Sequence, residues 1–194
     1  FEAWYDRHDP LPVVNVMRLY KGYHGVAWDN YQLIRDVVAH LVNVHCYRRI
    51  AYIGLMSDNP IAYERYRAYS SVLAEHGIPL DQDLVMPADY STGQYRGRDG
   101  VRFLLDERNL DPKMDLEAIV TFNDQDALQA LQALRQRGIS VPYDVALVGI
   151  DDLNASTVCV PPLTTVAMPT KEMGKRAVEM VMSLLAGEQV QEHV

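Results

Sequence analysis

The fold is decided by residues 116–150, LEAIVTFNDQDALQALQALRQRGISVPYDVALVGI, in which two mainly apolar runs flank an amphipathic segment. The runs are Leu116–Phe122, which contains only Glu117 and Thr121 as polar residues, and Val145–Ile150, and nearly continuous apolar stretches of this kind are typical of strands buried on both faces. Between them, Asn123–Arg137 repeats apolar residues at helical spacing and ends at Gly138, a common helix stop. The stretch therefore predicts a strand, a helix and a second, parallel strand.

The same alternation continues in both directions along the chain. Further strand candidates are Leu11–Val16, Ile50–Gly54, Leu84–Met86 and Leu163–Ala167. Further helix candidates are Tyr31–Val44, the segment from Pro60 to about His76, a helix capped by Ser91 or Thr92 that ends near Glu107, and Thr170–Ala186. Right-handed crossovers between such strands give an α/β fold with doubly wound parallel sheets. Ligands bind to these sheets at the carboxyl ends of the strands.

Composition and charge exclude several classes of protein. Of the 194 residues 48% are apolar and 23% charged, and the net charge is −8, so neither a disordered chain nor a basic nucleic-acid binder is expected. No apolar stretch is long enough for a membrane span. Two cysteines, Cys46 and Cys159, without metal spacing favour a reducing, cytoplasmic location. The opening FEAWYDRHDP is not a signal peptide and reads as the end of a helix, which suggests a fragment of a longer protein.

Two polar sites follow the apolar strands of the deciding stretch. Asn123 opens the helix, where it is expected to cap the backbone N–H of Asp126, a role that leaves its amide able to contact a ligand. Asp151 and Asp152 follow the second strand, and carboxylates there can accept hydrogen bonds from hydroxyls, bind a cation or transfer protons. A simple turn pair is the alternative. Because neighbouring side chains of an extended chain point oppositely, only one of them is expected to face a cleft.

Two further residues are candidates for ligand contact. Arg65 lies about one and a half turns into the helix after SDNP, from where its guanidinium could bind vicinal hydroxyls or a carboxylate. The alternative is an exposed helix charge paired with Asp58 or Glu64. Tyr90, between a strand and a helix, could stack on a ligand, or it could simply pack within its loop.

The motifs of the common enzyme classes are missing from this sequence. It contains no glycine-rich phosphate loop, no H-E-x-x-H, no G-x-S-x-G and no Cys/His spacing for a metal, and its six histidines are scattered. We therefore expect neither a catalytic residue, a cofactor nor a metal site. The protein is not expected to be an enzyme, with acid–base chemistry at Asp151 or Asp152 as the remaining enzymatic alternative.

Residues 121–187, which contain ND-x-x-A, VP-x-DVA-x-VG-x-DD and PPLTTV in that order, resemble the core of the LacI/GalR family of bacterial transcription regulators. RRIAYIG and NPIAYERYRAYSSVLAEHGIP are similar to the family too, so the resemblance covers nearly the whole chain. It implies a periplasmic-binding-protein-like core of two α/β lobes. Residues 1–28 and 166–194 would belong to an incomplete N-terminal lobe, and residues 29–165 would form the C-terminal lobe.

The resemblance also implies which residues contact the effector, a small sugar-like molecule in the interlobe cleft. They are Arg65, Tyr90, Asn123 and Asp151, with Met17, Arg18 and Met168 as further possible contacts. At two of these positions the chain departs from the family: Met168 stands where the family often has Gln, and Met17 where it often has Asp. Both replacements remove polar contacts. A more apolar ligand, an anionic ligand and a degenerate pocket are therefore alternatives to a sugar effector.

The resemblance implies partners as well. The core would form a homodimer and reach operator DNA only through a helix-turn-helix that is absent from this chain, with lobe closure as the switch. In the alternative hypothesis the same sensor core is fused to a signalling output such as a diguanylate cyclase or histidine kinase module, because HLVNVHCYRRIAYIG and LLDERNLDPKMDLEAIV carry longer connections than the usual regulator pattern.

Overall fold

The computed structural model describes residues 11–91 and 94–191, and these form two compact units. The first unit comprises the described parts of Phe1–Asp29 and Pro169–Val194, and the second comprises the described parts of Asn30–Met168. The chain thus enters the second unit once and leaves it once. Thr92, one of the two residues predicted to cap a helix, lies outside the described residues.

Strands and helices alternate along the described chain. The strands are β1 Val14–Val16, β2 His24–Val26, β3 Ile50–Ile53, β4 Ala118–Thr121, β5 Ala146–Ile150 and β6 Thr164–Val166. The α-helices are α1 Asn30–Asn43, α2 Pro60–Glu75, α3 Arg96–Arg102, α4 Asp124–Gln136, α5 Asn154–Val158 and α6 Thr170–Leu185. A 3₁₀ turn spans Gln82–Leu84, and α3 continues into a π-helical turn at Phe103–Glu107.

In its described part, the first unit pairs two short strands and packs one helix against them. Strands β1 and β2 run parallel, with Val14 opposite His24 and Val16 opposite Val26. Helix α6 packs on both strands and buries Met173, with Ala177 and Met180, against Val26. The three buried positions follow the helical spacing i, i+4, i+7, which places them on one face of α6.

The second unit is built on a four-stranded parallel sheet in the order β3-β4-β5-β6. Helices cover both faces of this sheet. Ile53, Ile119 and Leu147 point to the face where α3 and α4 complete the core. Tyr52 points to the opposite face, where its ring stacks on Tyr69 of α2. The predicted α/β fold with parallel sheets is confirmed.

The apolar runs of the sequence became strands because both of their faces are covered. All residues of β3 and β4 are buried, which leaves no room for the alternation of a half-exposed strand. The predicted starts and ends of the helices are also well placed: Asn59 caps α2 through its side chain, Pro60 is its first residue, and Gly138 after α4 has φ +73°.

Two local predictions were wrong, and two short elements were not predicted. Leu84–Met86 is not a ladder strand, because Val85 forms only an isolated bridge to Tyr52 after the 3₁₀ turn. The helix predicted after Ser91 begins later, at Arg96, and its first residue follows a Tyr95 that makes no side-chain cap. Strand β2 and helix α5 were not predicted, since three and five residues are too short to show a period.

Tyr52 provides a test of this packing. Its hydroxyl is fully buried and has no hydrogen-bond partner among the described residues, whereas the hydroxyl of the neighbouring Tyr69 donates to the Ile50 carbonyl at 2.8 Å. An unpartnered buried polar atom costs about 1–3 kcal/mol. We expect Tyr52→Phe to raise the free energy of unfolding by about 1 kcal/mol and Tyr69→Phe to lower it by a similar amount, measured by urea denaturation. A clear loss of stability in Tyr52→Phe would contradict the assignment.

Candidate functional site

The candidate residues cluster at the carboxyl ends of β3, β4 and β5. Because these strands are parallel and in register, their ends lie along one edge of the sheet. Asn123 follows β4 by two residues and Asp151 directly follows β5, while Arg65 reaches this edge from α2. This arrangement gathers the polar groups of three separate segments of the chain.

Arg65 is buried, with only 3% of its surface exposed, so the alternative of an exposed helix charge is wrong. Its Nε donates to Oδ1 of Asn30 at 3.0 Å, and its Nη1 donates to the Phe122 carbonyl at 2.5 Å. The guanidinium carbon also lies 4.6 Å from the centre of the Phe122 ring, a cation–π distance. These contacts hold the guanidinium plane at the end of β4.

Arg65 and Asp151 are electrostatically coupled. Burial raises the pKa of Asp151, the Arg65 charge opposes that rise, and the Asp124 charge adds to it. Burial lowers the pKa of Arg65, and the charge of Asp151 is among the groups that oppose this change. The guanidinium nevertheless stays protonated, because an arginine keeps its charge in proteins. The site therefore offers a fixed cation and a half-buried carboxyl group within range of each other.

Asn123 is the cap of α4, as predicted. Its Oδ1 accepts a hydrogen bond from the backbone N–H of Asp126 at 2.9 Å. Its Nδ2 makes no hydrogen bond to any residue that the structure describes. The half-buried amide therefore keeps one donor group for a ligand, and Asn123 directly follows Phe122, whose carbonyl holds Arg65.

A buried carboxylate, Asp124, fixes the loops that carry these groups. One of its oxygens accepts hydrogen bonds from Leu153 N (2.9 Å) and Ser156 Oγ (2.7 Å), and the other accepts one from Thr165 Oγ1 at 2.5 Å. A Cβ on Gly149 would come within 2.2 Å of this carboxylate, so only glycine fits there. Asp124 thus joins the start of α4 to the loop after β5 and to β6.

Asp151 and Asp152 differ in environment, for a reason other than the one the sequence suggested. Both have positive φ, +114° and +53°, so the chain turns at this point and does not continue as a strand. Asp151 is half-buried and donates its N–H to the Val166 carbonyl at 3.0 Å. Asp152 is exposed, and its N–H donates to Thr165 Oγ1.

Tyr90 lies in a different set of contacts. Its ring packs edge-on against Phe103 at 5.1 Å, its hydroxyl donates to the Glu107 carboxylate, and Nε of Arg102 donates to the same hydroxyl. Burial raises its pKa, and the hydrogen bond to Glu107 adds to the rise. Within the described part of the chain, Tyr90 has no hydrogen bond or ring contact with Arg65.

The three further candidates are divided between the two units. Met17 and Arg18 belong to the first unit and are exposed; Met17 has φ +74° and donates its N–H to the Val26 carbonyl. The guanidinium of Arg18 lies 5.1 Å from the ring centre of Tyr20. Met168, the last residue of the second unit, is buried.

The sequence did not reveal the roles of three residues of this site. Asn30 and Phe122 hold Arg65, and Asp124 anchors the loops. In the sequence, Asp124 stands out only as an acidic residue in the first turn of a predicted helix. Its hydrogen-bond partners lie 29 to 41 residues away, and no short-range spacing signals such contacts. The contact between Asn30 and Arg65 spans 35 residues and was hidden for the same reason.

The described residues contain neither a metal-binding cluster nor a helix that could span a membrane. No group of three or more His, Cys, Asp or Glu side chains in the described ranges is arranged to hold a metal ion. Among the helices that the structure describes, none has both the length and the apolar character needed to cross a bilayer.

Comparison with known proteins identifies the family. A family model described as the periplasmic binding protein-like domain matches residues 38–194, which is most of the chain. The chain belongs to the periplasmic-binding-protein-like domain family. The more specific resemblance to the LacI/GalR regulators is confirmed by relatives and solved structures of that type.

Curated relatives of this LacI/GalR-type domain are bacterial regulators. The HTH-type transcriptional regulator AscG of Escherichia coli is 32% identical over 183 residues, which is 94% of this chain and 52% of AscG. The regulator MalR of Clostridium butyricum is 29% identical over 90% of this chain and 50% of MalR. The chain spans about half the length of the curated relatives that it matches.

Solved structures agree with this assignment. The match to the crystal structure of the E. coli repressor AscG covers 100% of this chain and 68% of the AscG chain, with a TM-score of 0.80 and 30% identity. The match to a sugar-binding LacI-family regulator from E. coli, solved with phosphate, covers 98% of this chain and 66% of the regulator's chain, with a TM-score of 0.81 and 30% identity. The complex of the regulator CelR with cellobiose matches 93% of this chain and 54% of the CelR chain, with a TM-score of 0.79 and 30% identity.

The Asp124 network is open to a direct test. Asp124→Ala leaves three buried or half-buried donors without their acceptor, and hydrogen bonds to a charged group are worth about 1.5–3 kcal/mol each. We expect the variant to lose about 3 kcal/mol of unfolding free energy in urea denaturation. Asp152→Asn, which removes an exposed negative charge from the same loop and keeps a side chain that tolerates the positive φ of this position, is the control and should change it by less than about 0.5 kcal/mol. Equal losses in both variants would contradict the anchoring role.

Asp126 makes stability depend on pH. Burial raises its pKa to about 6, although the Arg96 charge, with its nitrogen 3.3 Å away, opposes the rise. Since the unfolded value is ~4, the stabilising contribution is complete below that value and is lost as the pH rises through about 6. We expect the stability of the wild type relative to Asp126→Asn to fall by about 1–2 kcal/mol between pH 4.5 and pH 7. A constant difference across that range would show that Asp126 is ionised throughout.

Proposed function

We propose that this chain is the effector-sensing core of a LacI/GalR-type transcription regulator. It binds a small sugar-like molecule at the carboxyl ends of β3, β4 and β5, through Arg65, Asn123 and Asp151. The single observation that carries the proposal is the buried guanidinium of Arg65, held by the carbonyl of Phe122, the residue before Asn123, and influenced by the charge of Asp151.

The chemistry of these groups suits a polyol. A guanidinium donates in a fork, a carboxylate accepts, and an asparagine amide can do both, so together they can satisfy neighbouring hydroxyl groups of a sugar. The cellobiose complex of the related CelR supports a sugar as the class of effector. The relatives named above are all regulators, which favours a regulator over an enzyme and over a fused signalling output.

The proposed switch is a change in the populations of two arrangements of the lobes. An effector bound between the lobes favours the closed arrangement, and in a homodimer closure alters the spacing of the attached DNA-binding domains. A complete swing from 1:99 to 99:1 requires a preference of about 5.5 kcal/mol for one arrangement. Such a regulator works in the cytoplasm, where its operator DNA lies.

Arg65 provides the test of the effector site. In the complete protein, calorimetry with cellobiose, glucose, inosine and glycerol should identify a ligand, and Arg65→Lys should weaken its binding by about 10- to 100-fold, because charged hydrogen bonds worth about 1.5–3 kcal/mol are lost. Arg67→Lys is the matched control, since Arg67 is exposed on the same helix, and it should leave the affinity unchanged. Unchanged affinity in Arg65→Lys would refute the site.

A further inference from the structure

Each junction of the second unit is tied by a hydrogen bond to a candidate ligand residue. The chain enters this unit at Asn30 and leaves it at Met168. Asn30 accepts a hydrogen bond from Arg65. Two residues before Met168, the Val166 carbonyl accepts one from the backbone N–H of Asp151. Arg65 and Asp151 are also the two charged members of the site.

The contact at the first junction is the more specific of the two. Asn30 is the first residue of α1 and has only 4% of its surface exposed. An arginine offers only donors, so the amide of Asn30 must turn its oxygen toward Nε of Arg65, as the 3.0 Å distance shows. A side chain without an acceptor at position 30 would leave that buried Nε–H unpaired.

Two contacts on different nitrogens fix the guanidinium of Arg65. Asn30 holds Nε and the Phe122 carbonyl holds Nη1, while the Phe122 ring lies against the face of the group. A planar group held at two points can no longer rotate about its long axis. Nη2 then keeps its donors, since it bonds to no residue in the described ranges.

We propose that Asn30 is a positioning residue for Arg65: it orients the guanidinium for the effector and links the occupied site to the junction at which the chain enters the second unit. The expected effect of Asn30 on ligand binding rests on the proposed function. Its effect on the orientation of Arg65 does not, because that orientation can be measured without a ligand.

The link works in both directions. A ligand that binds Nη2 stabilises the orientation in which Nε bonds to Asn30, and it thereby stabilises the start of α1 beside the junction. Because such coupling is reciprocal, a change at the junction that displaces Asn30 must weaken ligand binding by the factor by which the ligand favours the bonded position of Asn30. Asn30 would in this way report occupancy to the segment that joins the two units.

The first measurement is hydrogen exchange at Nε–H of Arg65, followed by NMR in the complete protein without ligand. We expect Asn30→Ala to speed this exchange about tenfold or more, because a buried hydrogen bond worth about 1.5 kcal/mol is lost. Asn30→Asp, which keeps the acceptor oxygen, should restore slow exchange. Asn59→Ala removes the cap of α2 without touching the guanidinium; it should lower the melting temperature and leave the exchange slow.

The second measurement is a double-mutant cycle with cellobiose as the probe. Asn30→Ala should weaken binding about 3- to 10-fold when Arg65 is present and leave it unchanged in the Arg65→Lys background, because the effect passes through Arg65. Asn30→Asp should restore the affinity. An equal loss in both backgrounds would show that Asn30 acts on the fold alone, and this overturns the proposal.

The outcomes separate the two hypotheses. Fast exchange at Nε–H of Arg65 in the wild type, or an exchange rate that Asn30→Ala does not change, overturns the positioning role regardless of which ligand binds. Slow exchange that depends on Asn30, together with cellobiose binding that Arg65→Lys does not weaken, upholds the positioning role and refutes the proposed site. If cellobiose does not bind the wild type, a sugar of that class is refuted and the exchange result alone decides the positioning role.

Discussion

Asp124 holds together the edge of the sheet on which the site is built. Its fully buried carboxylate accepts hydrogen bonds from the loop after β5 and from β6, and it lies at the start of α4. A buried charge is stable only when such donors replace the water it has lost. Gly149 belongs to the same constraint, because a side chain there would occupy the place of the carboxylate.

Arg65 shows how the site depends on that frame. A guanidinium in the middle of α2 would ordinarily face water, but here it is covered and bonded to the first residue of α1 and to the end of β4. Its burial is tolerated because two carbonyl-type oxygens, an aromatic face and the nearby Asp151 replace its hydration. A cation held in this way needs little reorganisation when a polar ligand arrives, which is an advantage for binding.

Much of the fold could be predicted, for identifiable reasons. Strands β3, β4 and β5 are covered on both faces and therefore appear in the sequence as unbroken apolar runs. The long helices carry caps and glycine stops that work locally, as Asn59 and Gly138 show. Segments of three to five residues were missed or misassigned, because β2, α5 and the bridge at Val85 depend on neighbours that are distant in the chain.

The class of fold, the family and the positions of the polar residues at the ends of the strands can be read from the sequence, since periodicity, caps and motif order are properties of neighbouring residues. The contacts that those residues make depend on the folded chain. Folding buried Arg65, for which an exposed charge was the alternative, turned Tyr90 toward Phe103 and Glu107, and made Asp124 the anchor. These outcomes depend on contacts between segments 13 to 57 residues apart, whose energies no local pattern of residues encodes.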